Sequence, residues 1–379
     1  MTRTEDLNPR GTAATLVRGP VLAVCGWSGS GKTTVLREVI PVLIEHGLSV
    51  AVVKHDAHGI QVDPRGKDSD RLFAAGADVM LHGPDQSLLR THGTQVVATP
   101  DGTRGGDLAA ALTTLLREYD VVLVEGHKDT PLPKVWVVKD GETGPPDGVR
   151  DVLDVLPRDG QRGEALLRIL GDWLPKAWRS STVNVGVVVG GRSERMGWPK
   201  QLLEYEGKSF LERVLAALAP FGERVVLLGD GPVPEACGGY PRLPDPPGLG
   251  GPLAGILAAM RWDPGATWVV AGCDQPLIEP DAIAWLLDQR APGKWAVLPR
   301  VGEGGVEPLL AIYDARARRI LESLAAGGCL APSALASHPR TLSPSPPAEL
   351  AEAWRDFNTR EELDRLGEQE RRDAGRSGG

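Results

Sequence analysis

The sequence contains few cysteines, no long apolar run and no excess of positive charge. Its four cysteines, Cys25, Cys237, Cys273 and Cys329, have neither metal-binding nor redox spacing. No apolar run approaches the roughly 20 residues of a membrane-spanning helix, and the opening MTRTEDLNPR lacks the apolar core of a signal peptide. A formal net charge of −8 argues against a nucleic-acid partner. We therefore expect a cytoplasmic protein with reduced thiols and no membrane or nucleic-acid partner.

Two blocks of one secondary-structure pattern follow each other along the 379 residues. Because a domain typically has about 100–200 residues, this length predicts two domains. In each block, short apolar runs alternate with longer helical patterns, which is typical of strands covered on both faces of a mostly parallel sheet. The predicted strands are Val21–Cys25, Leu48–Lys54, Asp78–Leu81, Val121–Val124 and Val135–Val138 in the first block, and Val185–Val189, Val225–Leu228, Trp268–Gly272, Trp295–Leu298 and Leu309–Tyr313 in the second.

Helix signals and loop composition divide the chain further. Thr33–His46 is a predicted helix closed by Gly47, Glu164–Trp173 is an amphipathic one, and Ser209–Ala219 opens with a capping box of Ser209 and Glu212. The segment 231–252 carries seven prolines and is predicted to be mostly loop. We expect a disordered N-terminus over 1–19, a first domain over 20–174, a linker over 175–182, a second domain over 183–368 and a disordered tail over 369–379.

A phosphate-binding loop follows the first predicted strand. Residues 26–33, G-W-S-G-S-G-K-T, fit the pattern G-x-x-x-x-G-K-[ST] between a strand and a helix, the context that confirms a P-loop. Its glycines let backbone N–H groups curl around phosphates, and the helix N-terminus adds partial positive charge. We expect Lys32 to reach the β- and γ-phosphates and the Thr33 hydroxyl to bind Mg²⁺. The candidate contacts in this loop are Gly26, Ser28, Gly29, Ser30, Gly31, Lys32, Thr33 and Thr34.

Acidic residues near the ends of neighbouring strands are the next candidates. Glu125 ends an apolar strand, and such a strand beside a P-loop supplies a contact to Mg²⁺ or to water; a solvated residue at a strand end is the alternative. Asp56 and Asp63 are candidate metal or nucleotide contacts. His55 and His58 have the chemistry to bind a metal, but no third ligand accompanies them at diagnostic spacing.

Four motifs of this block resemble the molybdopterin-guanine dinucleotide biosynthesis protein B family. They are W-S-G-S-G-K-T-T, V-V-K-H-D-A-H, G-K-D-S with A-A-G-A-D, and L-V-E-G-H-K, in that order between about Val21 and Val138. The resemblance implies a GTP-binding P-loop protein with weak GTPase activity that forms a homodimer through this domain and associates with a guanylyltransferase. It also implies that Lys32, Thr33, Asp56, Asp68 and Glu125 surround the nucleotide.

A second glycine loop follows the first strand of the second block. Residues 188–200 are V-V-G-G-R-S-E-R-M-G-W-P-K. Gly190 and Gly191 allow the backbone to approach a triphosphate closely, and Arg195 and Lys200 supply positive charge. The loop is not a Walker sequence. Its widely spaced cations suit a longer loop wrapped over a nucleotide.

Two aspartates of this block are candidate ligands. Asp274 ends a buried strand, and the carboxyl ends of strands in an open α/β sheet face the ligand crevice. Asp274 is therefore a candidate Mg²⁺ ligand, with a loop-capping role as the alternative. Asp245 precedes Gly248–Gly255, which is either a substrate loop or a turn before the helix predicted at Leu253–Met260.

Nucleotidyl transfer at such a site requires few protein groups. An attacking phosphate is already an anion, so no strong general base is needed. Charge spreads over the α-phosphate and the leaving pyrophosphate, so positioning and cations dominate catalysis. Arg195, Lys200 and Mg²⁺ on Asp274 would supply those cations, and no Ser/His/Asp or Cys/His arrangement competes for the role.

The second block resembles the molybdenum cofactor guanylyltransferase family from Asn184 to about Leu366. The glycine loop, G-P-L-A-G-I, C-D-x-P, E-P-L-L-A-I-Y and the closing D-F-N-T-R-E-E-L carry the resemblance. It implies GTP and molybdenum-bound molybdopterin as substrates with Mg²⁺ as cofactor, and a molybdenum insertion protein and apo-molybdoenzymes as further partners. The implied nucleotide contacts are Val188, Val189, Gly190, Gly191, Lys200, Asp245 and Asp274, with Glu307 and Asn358 on the pterin side. The fold implied by both resemblances is α/β, with a P-loop NTPase-type sheet covered by helices on both faces and then a Rossmann-like nucleotidyltransferase domain.

The sequence leaves other functions open. Pro199-Lys200 replaces the usual D-K, as in related cytidylyltransferases, and Asp356 replaces the first Asn of the closing motif, so cytidylyl transfer is one alternative. Gly191, Asn358 and the fused GTP-binding block favour guanine. A non-catalytic GTP-binding adapter for cofactor delivery would need a degenerate second site, and a sugar-1-phosphate nucleotidyltransferase would not explain the P-loop block.

Overall fold

Two seven-stranded sheets organise the chain, one in each of two units formed by residues 1–180 and 181–379. The computed structural model describes residues 17–55, 66–82, 87–92, 108–158, 160–190, 199–357 and 362. The termini predicted to be disordered fall mostly outside these ranges.

The first sheet has the strand order β4-β3-β2-β5-β1-β6-β7, and every neighbouring pair is parallel except β3 and β4. The sequence predicted all five strands between the two edges. It missed the edge strands β4 and β7, because an edge strand is not apolar on both faces; Leu153 of β7 is 45% exposed. The strands are β1 (Val21–Cys25), β2 (Val50–His55), β3 (Asp78–His82), β4 (Ser87–Arg90), β5 (Val121–Glu125), β6 (Lys134–Val137) and β7 (Val152–Leu156).

Helices cover both faces of this sheet, as predicted. They are α1 (Lys32–Glu45), α2 (Asp68–Ala74), α3 (Leu108–Leu116) and α4 (Arg162–Arg179). Leu36 of α1, Leu72 of α2 and Leu166 of α4 share one buried cluster with one set of strand side chains. Leu112 of α3 packs with the side chains that alternate onto the other face. The P-loop NTPase-type arrangement of the first unit is therefore confirmed.

Helix α4 is longer than the sequence predicted. It begins at Arg162 and runs through Pro175 to Arg179, so it occupies most of the segment 175–182 expected to be a linker. Leu174 and Trp178 are buried beyond the predicted end at Trp173. Burial of such side chains stabilises by about 1.5–3 kcal/mol each, which offsets the hydrogen bond that Pro175 cannot donate.

The second sheet has the strand order β12-β11-β8-β13-β15-β14-β16. Strands β12, β11, β8 and β13 are parallel; β15 runs antiparallel to both β13 and β14, and β16 is parallel to β14. Two further strands form a small hairpin. The strands are β8 (Val183–Val188), β9 (Glu204–Tyr205), β10 (Lys208–Ser209), β11 (Val225–Leu228), β12 (Arg242–Leu243), β13 (Thr267–Gly272), β14 (Ala296–Val297), β15 (Ala311–Tyr313) and β16 (Thr341–Leu342).

In the described part of the second unit, four α-helices cover the sheet: α5 (Phe210–Leu218), α6 (Pro252–Trp262), α7 (Pro280–Asp288) and α8 (Arg318–Ala326). The predicted capping box opens α5: Glu212 N–H donates to Ser209 Oγ at 3.2 Å, and Ser209 N–H donates to Glu212 Oε2 at 2.8 Å. Helices α5 and α7 pack on one face of the sheet, and α6 and α8 on the other. The Rossmann-like prediction is thereby confirmed. Among the described residues, no helix combines the length and apolarity needed to cross a membrane.

Candidate nucleotide sites

The P-loop leaves the carboxyl end of β1 and enters α1 at Lys32. Gly26, Gly29 and Gly31 have φ of 149°, 75° and 95°, and a Cβ at Gly26 would lie 2.4 Å from the Val137 carbonyl oxygen. Glycine is therefore required at this turn. The loop borders a cleft of about 590 Å³, lined by Gly26, Ser28, Gly29, Gly31, Lys32, Thr33, Thr34, Arg37, Lys54, Asp68, Arg71, Glu125, Gly126, His127 and Lys128. Of the predicted loop contacts, only Ser30 is absent from this lining, and its side chain is buried.

Positive charge dominates the cleft. The Lys32 ammonium donates to the carbonyl oxygens of Gly26 at 3.0 Å and Trp27 at 2.9 Å, so it lies over the loop. Burial lowers the pKa of Lys32, while the nearby Glu125 carboxylate acts in the opposite direction. Arg37, Arg71 and the other cations of the lining add to this field, which suits a polyphosphate.

Glu125 joins the loop to the neighbouring strands. It ends β5, level with Val24 of the parallel strand β1. Its Oε1 accepts hydrogen bonds from Thr33 Oγ1 at 2.8 Å and from Lys54 Nζ at 3.3 Å, and Lys54 also pairs with Asp68 at 3.4 Å. The Glu125 Oε2 atom is buried and has no hydrogen-bond partner among the described residues. A buried, unpartnered carboxylate oxygen beside a threonine hydroxyl fits the hard oxygen ligands that Mg²⁺ prefers.

The structure thus brings together Lys32 and Thr33 of α1, Asp68 of α2 and Glu125 of β5, three separate elements. Lys54 is a contact that the sequence reasoning missed; its signal was the polar segment that begins at the end of β2. Asp56, Asp63 and His58 lie outside the described residues, as does the side chain of His55.

In the second unit, three parallel strands end at one edge of the sheet. Val188 of β8 is level with Leu228 of β11 and Gly272 of β13. The segments that follow them are joined by backbone hydrogen bonds: Val189 N–H donates to Leu228 O at 2.8 Å, and Cys273 N–H donates to Val188 O at 3.1 Å. Val188, Val189 and Gly190 therefore start their loop beside the turn that carries Asp274.

Lys200 and Asp274 meet at this edge. Lys200 Nζ lies 2.9 Å from Asp274 Oδ2, and each side chain is 21% exposed. A Cβ on Gly272 would lie 2.4 Å from Asp274 Oδ1, so a glycine before the turn leaves room for the carboxylate. The far end of the glycine loop and the strand-end carboxylate thus share one site. Gly191 and Arg195 lie outside the described residues.

The loop after β11 lies beside the start of the glycine loop. Asp245 Oδ1 is 4.0 Å from the position of a Cβ on Gly229. Burial raises the pKa of Asp245, and the Asp230 carboxylate raises it further. Two residues that the sequence reasoning missed hold this loop: Gln201 Nε2 donates to Pro232 O at 2.9 Å, and Arg242 donates to Gly231 O at 2.6 Å. Gln201 directly follows Lys200, but nothing in the sequence indicated which carbonyl it contacts.

The closing segment returns to Asp274. Phe357 N–H donates to the Asp274 carbonyl oxygen at 3.0 Å. Burial raises the pKa of Glu307, and the Asp356 carboxylate of the closing segment raises it further. Asn358 lies outside the described residues. Within the described ranges, no group of three His, Cys, Asp or Glu side chains is arranged around a metal position, so a Mg²⁺ ion here would also need water or phosphate oxygens.

Each unit matches a known family. The family model described as molybdopterin guanine dinucleotide synthesis protein B matches residues 21–153, and the MobA-like NTP transferase domain matches residues 185–341. The molybdopterin-guanine dinucleotide biosynthesis adapter protein of Haemophilus influenzae is 39% identical over 127 residues, covering 33% of this chain and 67% of the relative. The Escherichia coli adapter protein is 31% identical over 170 residues, covering 41% of this chain and 94% of the relative.

The second unit has relatives of its own. The probable molybdenum cofactor guanylyltransferase of Pelotomaculum thermopropionicum is 35% identical over 144 residues, covering 38% of this chain and 69% of the relative. The chain therefore belongs to two families joined in one polypeptide, the molybdopterin-guanine dinucleotide synthesis protein B adapters and the MobA-like NTP transferases, and it is a nucleotidyltransferase of molybdenum cofactor biosynthesis.

Proposed function

We propose that the second unit transfers GMP from GTP to molybdenum-bound molybdopterin, giving molybdopterin guanine dinucleotide and pyrophosphate, while the first unit is a GTP-binding adapter with weak GTPase activity. The observation that carries the proposal is the contact between Lys200 and Asp274, at the edge where β8, β11 and β13 end. Nucleotides bind at this edge in open α/β sheets. The similarity to probable molybdenum cofactor guanylyltransferases is the reason for proposing GTP as the nucleotide and a pterin as the acceptor.

The residues of the second site have separate roles in an in-line displacement at the α-phosphorus of the nucleotide. The backbone around Gly190 has no side chain to hold a triphosphate away, and Lys200 would donate to its phosphate oxygens. Asp274 would hold Mg²⁺, which when bound neutralises charge on the triphosphate and the leaving pyrophosphate. The pterin phosphate attacks the α-phosphorus and the bond to pyrophosphate breaks. Because the attacking phosphate is already ionised, no side chain needs to remove a proton.

Orientation of the acceptor would fall to the closing segment. Phe357 is bonded to the Asp274 backbone and is fully buried, so the chain next to it stays beside the site. We assign Glu307 and Asn358 to the pterin side and Asp245 to the nucleotide side. Glu307 is half-buried, a position that leaves its carboxyl group accessible to a bound ligand.

In the first unit, the P-loop and Lys32 would bind the GTP phosphates, and Thr33 with Glu125 would hold Mg²⁺. The unpartnered Glu125 Oε2 supports this assignment, since a buried carboxylate oxygen without a donor is costly unless a cation or water satisfies it. We propose that this unit also forms a homodimer, and that the whole chain passes its product to a molybdenum insertion protein and to apo-molybdoenzymes.

Cytidylyl transfer is a second candidate, favoured by Pro199 before Lys200. Pyrophosphate release with molybdopterin and Mg²⁺ decides between the two when GTP and CTP are supplied separately. We expect release with GTP only. A faster reaction with CTP would contradict the guanine assignment.

A matched pair of variants tests the site itself. Lys200→Ala should lower the rate of pyrophosphate release about 10²–10³-fold, the usual cost of one catalytic electrostatic contact. Lys208→Ala removes an exposed lysine from β10 of the same unit and should have no effect. Equal rates for the two variants would contradict the proposed site.

A further inference from the structure

The first residue of α4 contacts the P-loop from outside the cleft. The Arg162 guanidinium donates to three backbone carbonyls: Ser30 from Nη1 at 2.7 Å, Val138 from Nη2 at 2.6 Å and Pro157 from Nε at 2.6 Å. These carbonyls belong to the P-loop and to the residues after β6 and β7. One planar guanidinium group thus joins the loop to the ends of two strands of the sheet.

The bond to Ser30 fixes the orientation of a peptide group in the loop. The peptide between Ser30 and Gly31 is planar and trans, so its N–H points opposite to its carbonyl. With the Ser30 carbonyl held toward Arg162, the Gly31 N–H points away from Arg162. Gly31 lines the cleft and caps the N-terminus of α1 with φ of 95°. Its N–H is of the kind that a P-loop directs at phosphate oxygens.

The position of Arg162 is itself fixed by packing. A Cβ on the next residue, Gly163, would lie 2.6 Å from Glu38 Oε2 and 3.2 Å from Glu38 Cβ, so the start of α4 lies directly against α1. A Cβ on Gly31 would lie 3.1 Å from Arg162 Nη1. The arginine and the loop therefore fit each other closely, and Arg162 lies beyond residues 21–153 that match the adapter family.

We infer that Arg162 is a positioning residue for the P-loop: it holds the Ser30–Gly31 peptide in the orientation that binds the triphosphate. The inference rests on the proposed GTP binding by the first unit. Arg162 does not line the cleft and acts through the backbone of the loop. Loss of the guanidinium should therefore weaken nucleotide binding in a chain that is still folded.

The test is calorimetric titration of the full chain with a non-hydrolysable GTP analogue and Mg²⁺. The component of binding that disappears in Lys32→Ala belongs to the P-loop. In Arg162→Ala, the dissociation constant of that component should rise about tenfold to a hundredfold, as expected for hydrogen bonds made by a charged group. Arg168→Ala removes an exposed arginine from the same helix and should bind as the wild type does.

Thermal melting and chemical rescue separate positioning from mere stability. Arg162→Lys keeps the charge but loses the planar fork, so it should melt near the wild-type temperature and still bind the analogue several-fold more weakly. Methylguanidinium should restore part of the affinity of Arg162→Ala, whereas methylammonium at equal ionic strength should not. Wild-type affinity in folded Arg162→Ala or Arg162→Lys would overturn the inference. If Lys32→Ala removed no binding component, the proposed function of the P-loop would fail instead.

Discussion

Replacing Asp274 by Asn tests the chemistry of the second site with little change in shape. The substitution removes the charge that pairs with Lys200 at 2.9 Å, and both side chains are 21% exposed. Loss of such a partly exposed pair costs on the order of 1 kcal/mol of stability, against a total of about 5–15 kcal/mol for a typical protein. The variant should therefore fold, and the Phe357 N–H bond to the Asp274 backbone does not depend on the side chain.

The Asp274→Asn substitution should lower the catalytic rate far more than it lowers the stability of the fold. Loss of the carboxylate that we propose holds Mg²⁺ should lower the rate by at least about 10²–10³-fold, which corresponds to about 2.7–4 kcal/mol of activation free energy. The assay is pyrophosphate release from GTP and molybdopterin over a Mg²⁺ titration, with Asp281→Asn, an exposed carboxylate on α7, as the control. A rate within tenfold of wild type at all Mg²⁺ concentrations, in a variant that melts normally, would refute the assignment of Asp274.

Two further predictions follow from pKa shifts. Because burial and Asp356 raise the folded-state pKa of Glu307 above its unfolded value of about 4.3, its stabilising effect is present below the unfolded pKa and lost as the pH rises through the folded pKa. Glu307→Gln should thus have a higher melting temperature than wild type at neutral pH, and the wild-type melting temperature near pH 4 (about the unfolded pKa). The control Glu303→Gln, which changes an exposed glutamate, should melt as the wild type does at both pH values. A lower melting temperature for Glu307→Gln at neutral pH would count against this account. Burial raises the pKa of Cys25 to about 11, so iodoacetamide should alkylate half-buried Cys329 first; early labelling of Cys25 in the folded chain, detected by mass spectrometry, would disprove this.

The sequence predicted those parts of the molecule that depend on local pattern. The P-loop could be located because its glycines, Lys32 and Thr33 are contiguous and lie between a strand and a helix. The contact of Lys200 with Asp274 could be anticipated because parallel strands end at a common edge, even though the two residues are 74 positions apart. The central strands were predicted correctly because they are apolar on both faces.

Features that depend on tertiary packing were not predictable in this way. Arg162 and Ser30 are 132 positions apart, and an arginine at a helix start carries no signal of which carbonyl it contacts. The predicted end of α4 at Trp173 was wrong. A proline such as Pro175 normally ends a helix, but here the burial of Leu174 and Trp178 keeps the helix continuous. Edge strand β7 was missed because its side chains are largely exposed.

The central claim is that the chain carries two separate triphosphate sites, one in each unit. Equilibrium dialysis of the full chain with GTP and Mg²⁺ measures this directly. We predict two GTP molecules bound per wild-type chain, one per chain in Lys32→Ala and in Lys200→Ala, and none when both substitutions are combined. A wild-type chain that binds a single GTP, or a double variant that still binds two, would contradict the account.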